Sequence, residues 1–366
     1  MYKKNSIPMS SVSFAYLKGG SLTETNETAG TSHLMEHLIC HSFDKIRDDL
    51  QKNGITVNAG TSEEYIVCHI SGIDHRVGRM VDQWADTILN PNPVSQEVFE
   101  NEKKTVLKEL AMYVADPVSR VLRINSVRRH YGIDSPLGTV ESINSFGYEQ
   151  YLEKLEMFRS PDEGLIIGPT YYSDKLDINN IDAIQSFDRK NITVVNDSGM
   201  PMVTGQDTPQ KVLLWTNKNM ISDNRRSAAA KILINMLSSG LNSPMYQEIR
   251  EKRGLCYVLQ GVQRSYYQRN AAFIILSDAP DEAKKVMEEI LSNIPKYITK
   301  ERFDIVKEMS IVEEEKHNIY LYENLFDELR RDLGFVYDAE TEGITFEEIL
   351  EVAKSFDLSE FFFYQE

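Results

Sequence analysis

The chain of 366 residues is too long for one ordinary hydrophobic core, and its length predicts about two domains. Its hydrophobic content of 41% and charged content of 26% are typical of a globular protein. The net charge of −16 argues against a nucleic-acid-binding protein, which would carry a basic face, and it favours basic peptides as partners.

No segment indicates export or a membrane partner. The N-terminal residues lead into no apolar signal region, and no apolar run is long enough to cross a bilayer. Cys40, Cys68 and Cys256 are odd in number and widely spaced, so they predict no disulfide framework. A reducing compartment is the simplest interpretation, and we expect a cytoplasmic protein.

Hydrophobic periodicity places the elements of the first half. Alternating apolar residues predict a strand at 12–16, ended by a glycine pair. Two further strands are expected between 55 and 72, and a buried strand at 165–168. Helices are predicted at about 29–42, 44–52, 76–89, 95–113, 117–130 and 148–159.

The second half repeats the order of the first. Periodicity is lost between residues 196 and 210, so we predict domains 1–195 and 211–366 joined by the linker 196–210. The predicted fold class is α+β, with two similar α/β-sandwich domains, each a mostly antiparallel sheet flanked by helices. The second domain is expected to contain strands at 212–215, 256–263 and 271–277, a helix at 225–237, and further helices to residue 356.

The most informative segment is His33-Leu34-Met35-Glu36-His37, on the first predicted helix. Residues four apart on a helix project from the same face, so His33 and His37 lie one turn apart. Neutral imidazoles are good zinc ligands, and Glu36 beside them can take a proton from a metal-bound water. The order His-x-x-Glu-His is the inverted form of the commoner zinc-protease motif.

A third ligand is expected on the helix that begins near Ser95. Its apolar stripe contains Glu102 and Glu109, which lie two turns apart on the buried face. A buried carboxylate is costly unless a positive charge compensates it, and a metal dication would do so. The alternative is that both glutamates reach solvent from the edge of the stripe. Lys103 is expected on the solvated outer face.

The other histidines are interpreted as structural. His41 cannot share a metal with His33, because eight helical residues separate them by about 12 Å. A pair of His37 and His41 is geometrically allowed but would leave Glu36 without a role, so His41 is interpreted as a packing or supporting residue. His69 alternates with Val67 and Tyr65 on a predicted strand and is interpreted as structural, and the histidines without a partner at ligand spacing are His75, His130 and His317.

With these glutamates placed, the chain resembles the pitrilysin and mitochondrial processing peptidase family of zinc metallopeptidases. The resemblance extends from about residue 12 to residue 356. It rests on a metal helix (31–37), an Asn-Ala-x-Thr strand pair (54–62), a helix with a distal glutamate (102–110), a Pro-x-Gly segment (135–143) and an arginine–tyrosine element (245–257). The interval between His37 and Glu109 is shorter than usual for this family, and the deletion falls just after the metal helix.

This resemblance implies a zinc-dependent endopeptidase with one zinc ion per chain. Its two domains would form half of a clamshell chamber. His33, His37 and Glu109 would bind the zinc. Glu36 would be the general base, and Glu102 would be a supporting carboxylate.

The resemblance also implies how peptides bind. Arg250 and Tyr257 would reach the site from the second domain and hold the peptide and its developing oxyanion. Asn58 and Ala59 would lie on an edge strand that pairs with the backbone of the substrate. Because one chain carries both the metal helix and the arginine–tyrosine element, a homodimer is expected, although a heterodimer with a related subunit stays open.

Three alternatives are weighed against a peptidase. The first is a non-catalytic scaffold or regulatory subunit of the same fold that pairs with a partner peptidase, although such members typically lose the metal motif. S-ribosylhomocysteine lyase also contains His-x-x-Glu-His, but it is far shorter and uses a cysteine as its third ligand. A purely structural zinc site would normally be closed by four protein ligands, and only three converge here.

Overall fold

The computed structural model describes residues 9–159, 164–167, 193–205, 212–217, 221, 223–266, 269–277, 279–319, 341–356 and 361–365. These residues form two compact units. The first unit contains residues 9–112, 131–159 and 164–167, and the second contains 113–130 and most of the described residues from 194 onward. Among the described residues of the two units, no helix is long and apolar enough to cross a membrane.

The first unit is built on a four-stranded antiparallel sheet in the order β2-β3-β1-β4. Its two inner strands are buried along nearly their whole length, whereas β2 at one end of the order is half exposed. The strands are β1 (Met9–Tyr16), β2 (Thr56–Thr61), β3 (Ile66–Ile73) and β4 (Gly164–Ile167).

Helices cover this sheet. Helix α1 contacts β2 and β3, and α3 contacts β1 and β3. A 3-10 turn, His41–Lys45, joins α1 to α2, and a π-helical turn, Arg120–Asn125, joins α5 to α6. The helices up to residue 158 are α1 (Thr31–Cys40), α2 (Arg47–Lys52), α3 (Asp74–Leu89), α4 (Gln96–Ala115), α5 (Pro117–Ser119), α6 (Ser126–Tyr131), α7 (Val140–Ser145) and α8 (Tyr148–Phe158). Of these, α5 and all of α6 but its last residue belong to the second unit, together with the π-helical turn between them.

The second unit repeats the same sheet. Its strands are antiparallel in the order β6-β7-β5-β8, so each strand occupies the position of its counterpart in the first sheet. The predicted α+β fold class is therefore confirmed. The elements are β5 (Val212–Asn217), α9 (Asn224–Ser238), a π-helical turn (Tyr246–Glu251), β6 (Leu259–Tyr266), β7 (Arg269–Ser277), α10 (Asp281–Ser292), α11 (Ile294–Tyr297), α12 (Lys300–Ile319), α13 (Phe346–Ser355) and β8 (Phe361–Gln365).

The described part of the predicted linker is hydrogen-bonded to α6 and to the π-helical turn that precedes α6. Arg129 Nε donates to the Asn196 carbonyl at 3.1 Å, and the Ser198 amide donates to the Arg129 carbonyl at 2.8 Å. Asn125 pairs with Val203 through both its amide nitrogen and its amide oxygen. Residues 206–210 lie outside the described residues, and the domain limits of 195 and 211 stay predictions.

Strand β8 and the burial of Lys103 differ from the sequence expectations. Strand β8 was not predicted, although it pairs with β5 along five residues. Lys103 was wrongly placed on the outer face of its helix, since it is only 8% exposed. Its ammonium group donates to the carbonyl oxygens of Asn144 at 3.1 Å and Phe146 at 2.8 Å, which offsets the cost of burying the charge.

The buried His69 predicts a dependence of stability on pH. It lies on β3, is 4% exposed, and burial lowers its pKa to about 4. The unfolded chain binds this proton near pH 6.5, so between pH 7 and pH 5 the unfolded state gains the proton and the free energy of unfolding falls. We expect the wild type to lose about 2 kcal/mol more over this interval than His69→Gln.

Urea unfolding of the zinc-free chain at both pH values measures this difference. His75→Gln is the matched control, because His75 is an exposed histidine on the next helix. Equal losses of unfolding free energy in the wild type and His69→Gln would show that His69 is not the sensitive group.

Candidate metal centre

The metal helix α1 begins at a buried anion. Gly30, the residue before its first turn, has no side chain to cap the helix, and the carboxylate of Glu24 takes that role. It accepts hydrogen bonds from the Gly30 amide at 2.9 Å, the Ser32 amide at 2.5 Å and the Thr31 hydroxyl at 3.0 Å. Lys154 Nζ lies 3.7 Å from Glu24, whose side chain is only 2% exposed. A negative charge here also interacts favourably with the dipole of α1.

The Pro-x-Gly segment supports the same end of α1. Gly30 and Gly138 have positive φ angles of 82° and 70°, and a Cβ at Gly30 would lie 2.8 Å from the Gly138 Cα. The two backbones meet so closely that neither position has room for a larger residue. Ser142 Oγ donates to the Ala29 carbonyl at 2.6 Å. The start of α1 is thus fixed by a second, distant part of the sequence.

His33, His37 and Glu109 converge on one point. The Nε2 atoms of both histidines lie 3.6 Å from the same carboxylate oxygen, Glu109 Oε2. The three potential ligand atoms lie within 4.8 Å of one another, and in the described part of the chain no other histidine, cysteine or carboxylate triplet comes as close. The two imidazole planes are nearly perpendicular, at 85°.

The donor set fits a zinc ion. A tetrahedral zinc with bonds of about 2.1 Å holds its ligand atoms about 3.4 Å apart, close to the observed 3.6 Å spacing. Burial, together with the nearby His37, lowers the pKa of His33 to about 3, which keeps its imidazole neutral. Two imidazoles and one carboxylate leave a fourth tetrahedral position without a protein ligand, as in catalytic zinc sites.

Glu36 lies on α1 between the two histidines, and a residue of the first sheet forms a hydrogen bond to its carboxylate. Thr61 Oγ1, at the end of β2, donates to Glu36 Oε2 at 2.7 Å. Burial raises the pKa of Glu36, and the Thr61 hydrogen bond opposes this rise. One carboxylate oxygen is therefore fixed by Thr61, while the other is free of that bond to accept a proton.

Glu102 does not join the three ligand atoms. One of its oxygens lies 3.1 Å from His37 Nδ1, and the other lies 2.9 Å from His41 Nε2. Its side chain is 20% exposed, so it is neither fully buried nor extended into solvent. The structure therefore places Glu102 behind a predicted ligand, where a supporting carboxylate is expected.

Asn58 and Ala59 lie in the middle of β2, at one end of the strand order of the first sheet. Asn58 is exposed, and its side-chain oxygen accepts a hydrogen bond from the Ala59 amide at 2.9 Å. The Ala59 amide therefore has a side-chain partner. Two residues further along β2, Thr61 reaches Glu36.

In the second unit, Arg250 lies between two aromatic rings. Its guanidinium carbon is 4.8 Å from the ring centre of Tyr246 and 4.7 Å from that of Tyr257. Tyr257 does not lie on a strand, since it precedes β6 and is 72% exposed. A turn at Gly254, with φ of 61° and its amide bonded to the Arg250 carbonyl at 2.9 Å, leads the chain back toward Arg250.

Sequence reasoning missed the roles of three residues, Glu24, Thr61 and Tyr246, and the contact of His41 with Glu102. Thr61 lies inside the recognised Asn-Ala-x-Thr segment, whereas Glu24 lies outside every recognised motif, and neither has a spacing that indicates its contact with α1. Tyr246 had a detectable signal, because residues four apart on a helix are neighbours and Tyr246 precedes Arg250 by four.

Two stretches of the chain match known families. Residues 2–136 match the family described as Insulinase (Peptidase family M16), and residues 180–310 match the Peptidase M16 inactive domain. A relative from Bacillus subtilis, called the uncharacterized zinc protease YmxG, is 24% identical over 284 residues, which cover 74% of this chain and 69% of the relative.

Solved structures share the fold. A protease from Helicobacter pylori matches with a TM-score of 0.68 at 15% identity, over 100% of this chain and 98% of that chain. A structure described as the peptidase M16 inactive domain from Pseudomonas fluorescens matches with a TM-score of 0.67 at 14% identity, over 100% and 93% of the two chains.

Proposed function

The chain belongs to peptidase family M16, the insulinase family, and we propose that it is a zinc-dependent endopeptidase. The observation that carries this proposal is the convergence of His33, His37 and Glu109, with Glu36 beside them on the same helix. A non-catalytic scaffold of the same fold would have no need for three convergent ligands and an adjacent carboxylate. The names of the relatives support zinc as the ion.

When bound by His33, His37 and Glu109, zinc would lower the pKa of a water molecule and polarise the scissile carbonyl. Glu36 accepts the proton of the attacking water and later returns it to the leaving amine. The hydrogen bond from Thr61 orients this carboxylate. A base with a raised pKa is suited to both steps, because it can hold the proton between them.

In this proposal the remaining predicted residues bind the peptide. An extended peptide adds to the edge of the first sheet at Asn58 and Ala59, where backbone hydrogen bonds give affinity with broad sequence tolerance. Tyr257 donates to the developing oxyanion, and Arg250 holds the peptide. The net charge of −16 favours basic peptides among the substrates.

The active species in this proposal is a cytoplasmic homodimer that encloses a chamber. One chain carries every residue of the proposed site, which supports a homodimer over a pair of different subunits. Size-exclusion chromatography with light scattering, combined with an activity assay of each fraction, tests this point. Peptide cleavage by a strictly monomeric fraction would contradict the dimer.

Zinc analysis and peptide digestion test the proposed function together. We expect the purified chain to bind one zinc ion and to cleave peptides of a mixed library, with the products identified by mass spectrometry. Removal of the metal with a chelator should abolish cleavage, and re-addition of zinc should restore it. Zinc binding without any cleavage would favour a scaffold, and a chain that takes up no zinc would contradict the metal site.

Removal of one ring from around Arg250 is expected to weaken peptide binding modestly. In the variant Tyr246→Leu, the guanidinium group of Arg250 would lose one of its two cation–π contacts. Such a contact typically contributes about 0.5–1 kcal/mol at an exposed site. We expect the KM for a cleaved peptide to rise about two- to fivefold, with little change in kcat. Tyr246→Phe keeps the ring and should behave as the wild type. A large fall in kcat for Tyr246→Leu, with KM unchanged, would contradict this assignment.

A further inference from the structure

Behind His37, a row of alternately basic and acidic side chains runs toward the protein surface. His37 Nδ1 lies 3.1 Å from one oxygen of Glu102, and His41 Nε2 lies 2.9 Å from the other. On its far side, His41 Nδ1 lies 3.2 Å from Asp44 Oδ2, and the second oxygen of Asp44 accepts from Arg47. The Glu102 carboxylate is therefore held at both of its oxygens.

Local structure explains this arrangement. Helix α1 ends at Cys40, and the 3-10 turn His41–Lys45 follows without a break. His41 consequently lies one turn beyond His37, and both imidazoles reach Glu102 on α4. Asp44, three residues further on, lies within reach of the outer nitrogen of His41.

We propose that His41 is a positioning residue of the zinc site, acting through Glu102. A carboxylate held by His37 alone can rotate and exchange its oxygens. A second hydrogen bond, from His41, removes that freedom and keeps Glu102 Oε2 as the acceptor for His37 Nδ1–H. That tautomer would leave the Nε2 lone pair of His37 available to a zinc ion, and the hydrogen bond would increase the basicity of the ring.

The surroundings of His41 support a positioning role rather than a ligand role. Both of its ring nitrogens face carboxylate oxygens, Nε2 toward Glu102 and Nδ1 toward Asp44. His41 is not one of the three side chains whose ligand atoms converge. Loss of a partner that orients a metal-bound histidine typically lowers metal affinity 10- to 100-fold. Because His41 contacts that partner, Glu102, and not the histidine itself, we expect its loss to lower the affinity about tenfold.

This inference rests on the proposed zinc site, and its test is the zinc dissociation constant, measured by competition with a chromophoric chelator. The decisive pair is His41→Gln and His41→Met, because both side chains are unbranched and of similar length. Glutamine keeps an N–H donor near the position of Nε2, whereas methionine has none. His75→Ala, which removes an exposed histidine from α3, controls for loose surface binding.

We expect His41→Met to raise the zinc dissociation constant about tenfold, while His41→Gln and His75→Ala stay within about threefold of the wild type. Unchanged affinity in His41→Met would overturn the role of His41 and leave the zinc site intact. An equal loss in His41→Gln and His41→Met would overturn the hydrogen bond to Glu102 as its cause. A wild-type chain that binds no zinc would overturn the proposed function itself, and this inference with it. Circular dichroism of each zinc-free variant verifies that the fold is retained.

Discussion

Glu36→Gln is expected to lower kcat for peptide hydrolysis about 10³-fold while the chain keeps its zinc and its fold. The amide has the size of the carboxylate, and its oxygen can still accept the hydrogen bond from Thr61. It cannot take a proton from water, so only the proton transfer is removed. Peptide turnover, zinc content by mass spectrometry, and thermal unfolding are the three measurements.

Glu100→Gln is the matched control for this experiment. Glu100 is an exposed glutamate on α4, so the same chemical change there should leave all three measurements as in the wild type. Substantial turnover by Glu36→Gln would remove Glu36 from the role of general base. Loss of zinc from Glu36→Gln would instead indicate that Glu36 supports the metal.

Glu24→Ala is expected to destabilise the first unit by about 3 kcal/mol. The substitution leaves two backbone amides at the start of α1 without their acceptor, and it leaves the partly buried ammonium group of Lys154 without its counter-ion. Breaking a buried ion pair by removal of one partner typically costs about 3–5 kcal/mol. Because α1 carries both histidines, we also expect weaker zinc binding.

Urea unfolding of the zinc-free chain measures the loss of stability without a contribution from metal binding. Glu27→Ala is the control, since Glu27 lies in the same loop but is exposed, and it should change the free energy of unfolding by less than about 0.5 kcal/mol. Glu24→Gln should fall between the two, because its amide oxygen keeps one acceptor. Equal stabilities of Glu24→Ala and Glu27→Ala would contradict the capping role.

The sequence predicted the periodic parts of the molecule well. Helix α3 has its apolar residues at helical spacing, and the structure buries that face, including Trp84. The pair His33 and His37 was recognisable because four-residue spacing determines the geometry within one helix. The predicted α+β class followed from the repeated order of strands and helices.

Contacts between distant elements could not be derived in the same way. Lys103 has a charge that indicates exposure, but carbonyl groups about 40 residues later make its burial favourable. Thr61 contacts Glu36 only because β2 lies beside α1, and strand order is not encoded in local periodicity. Strand β8 is short and follows a helix near the end of the chain, so its pairing with β5 depends on a partner more than 140 residues earlier.

The repetition of one strand order in two units has a calorimetric consequence. Each unit contains a four-stranded sheet of its own, and the second unit has an extensive apolar core of its own. We expect the two units to unfold as two separate cooperative transitions. The excess heat capacity measured by scanning calorimetry should then resolve into two overlapping peaks rather than one. The van't Hoff enthalpy of the whole transition should then be lower than the calorimetric enthalpy. A substitution in the first unit, such as Glu24→Ala, should shift only the peak of the first unit.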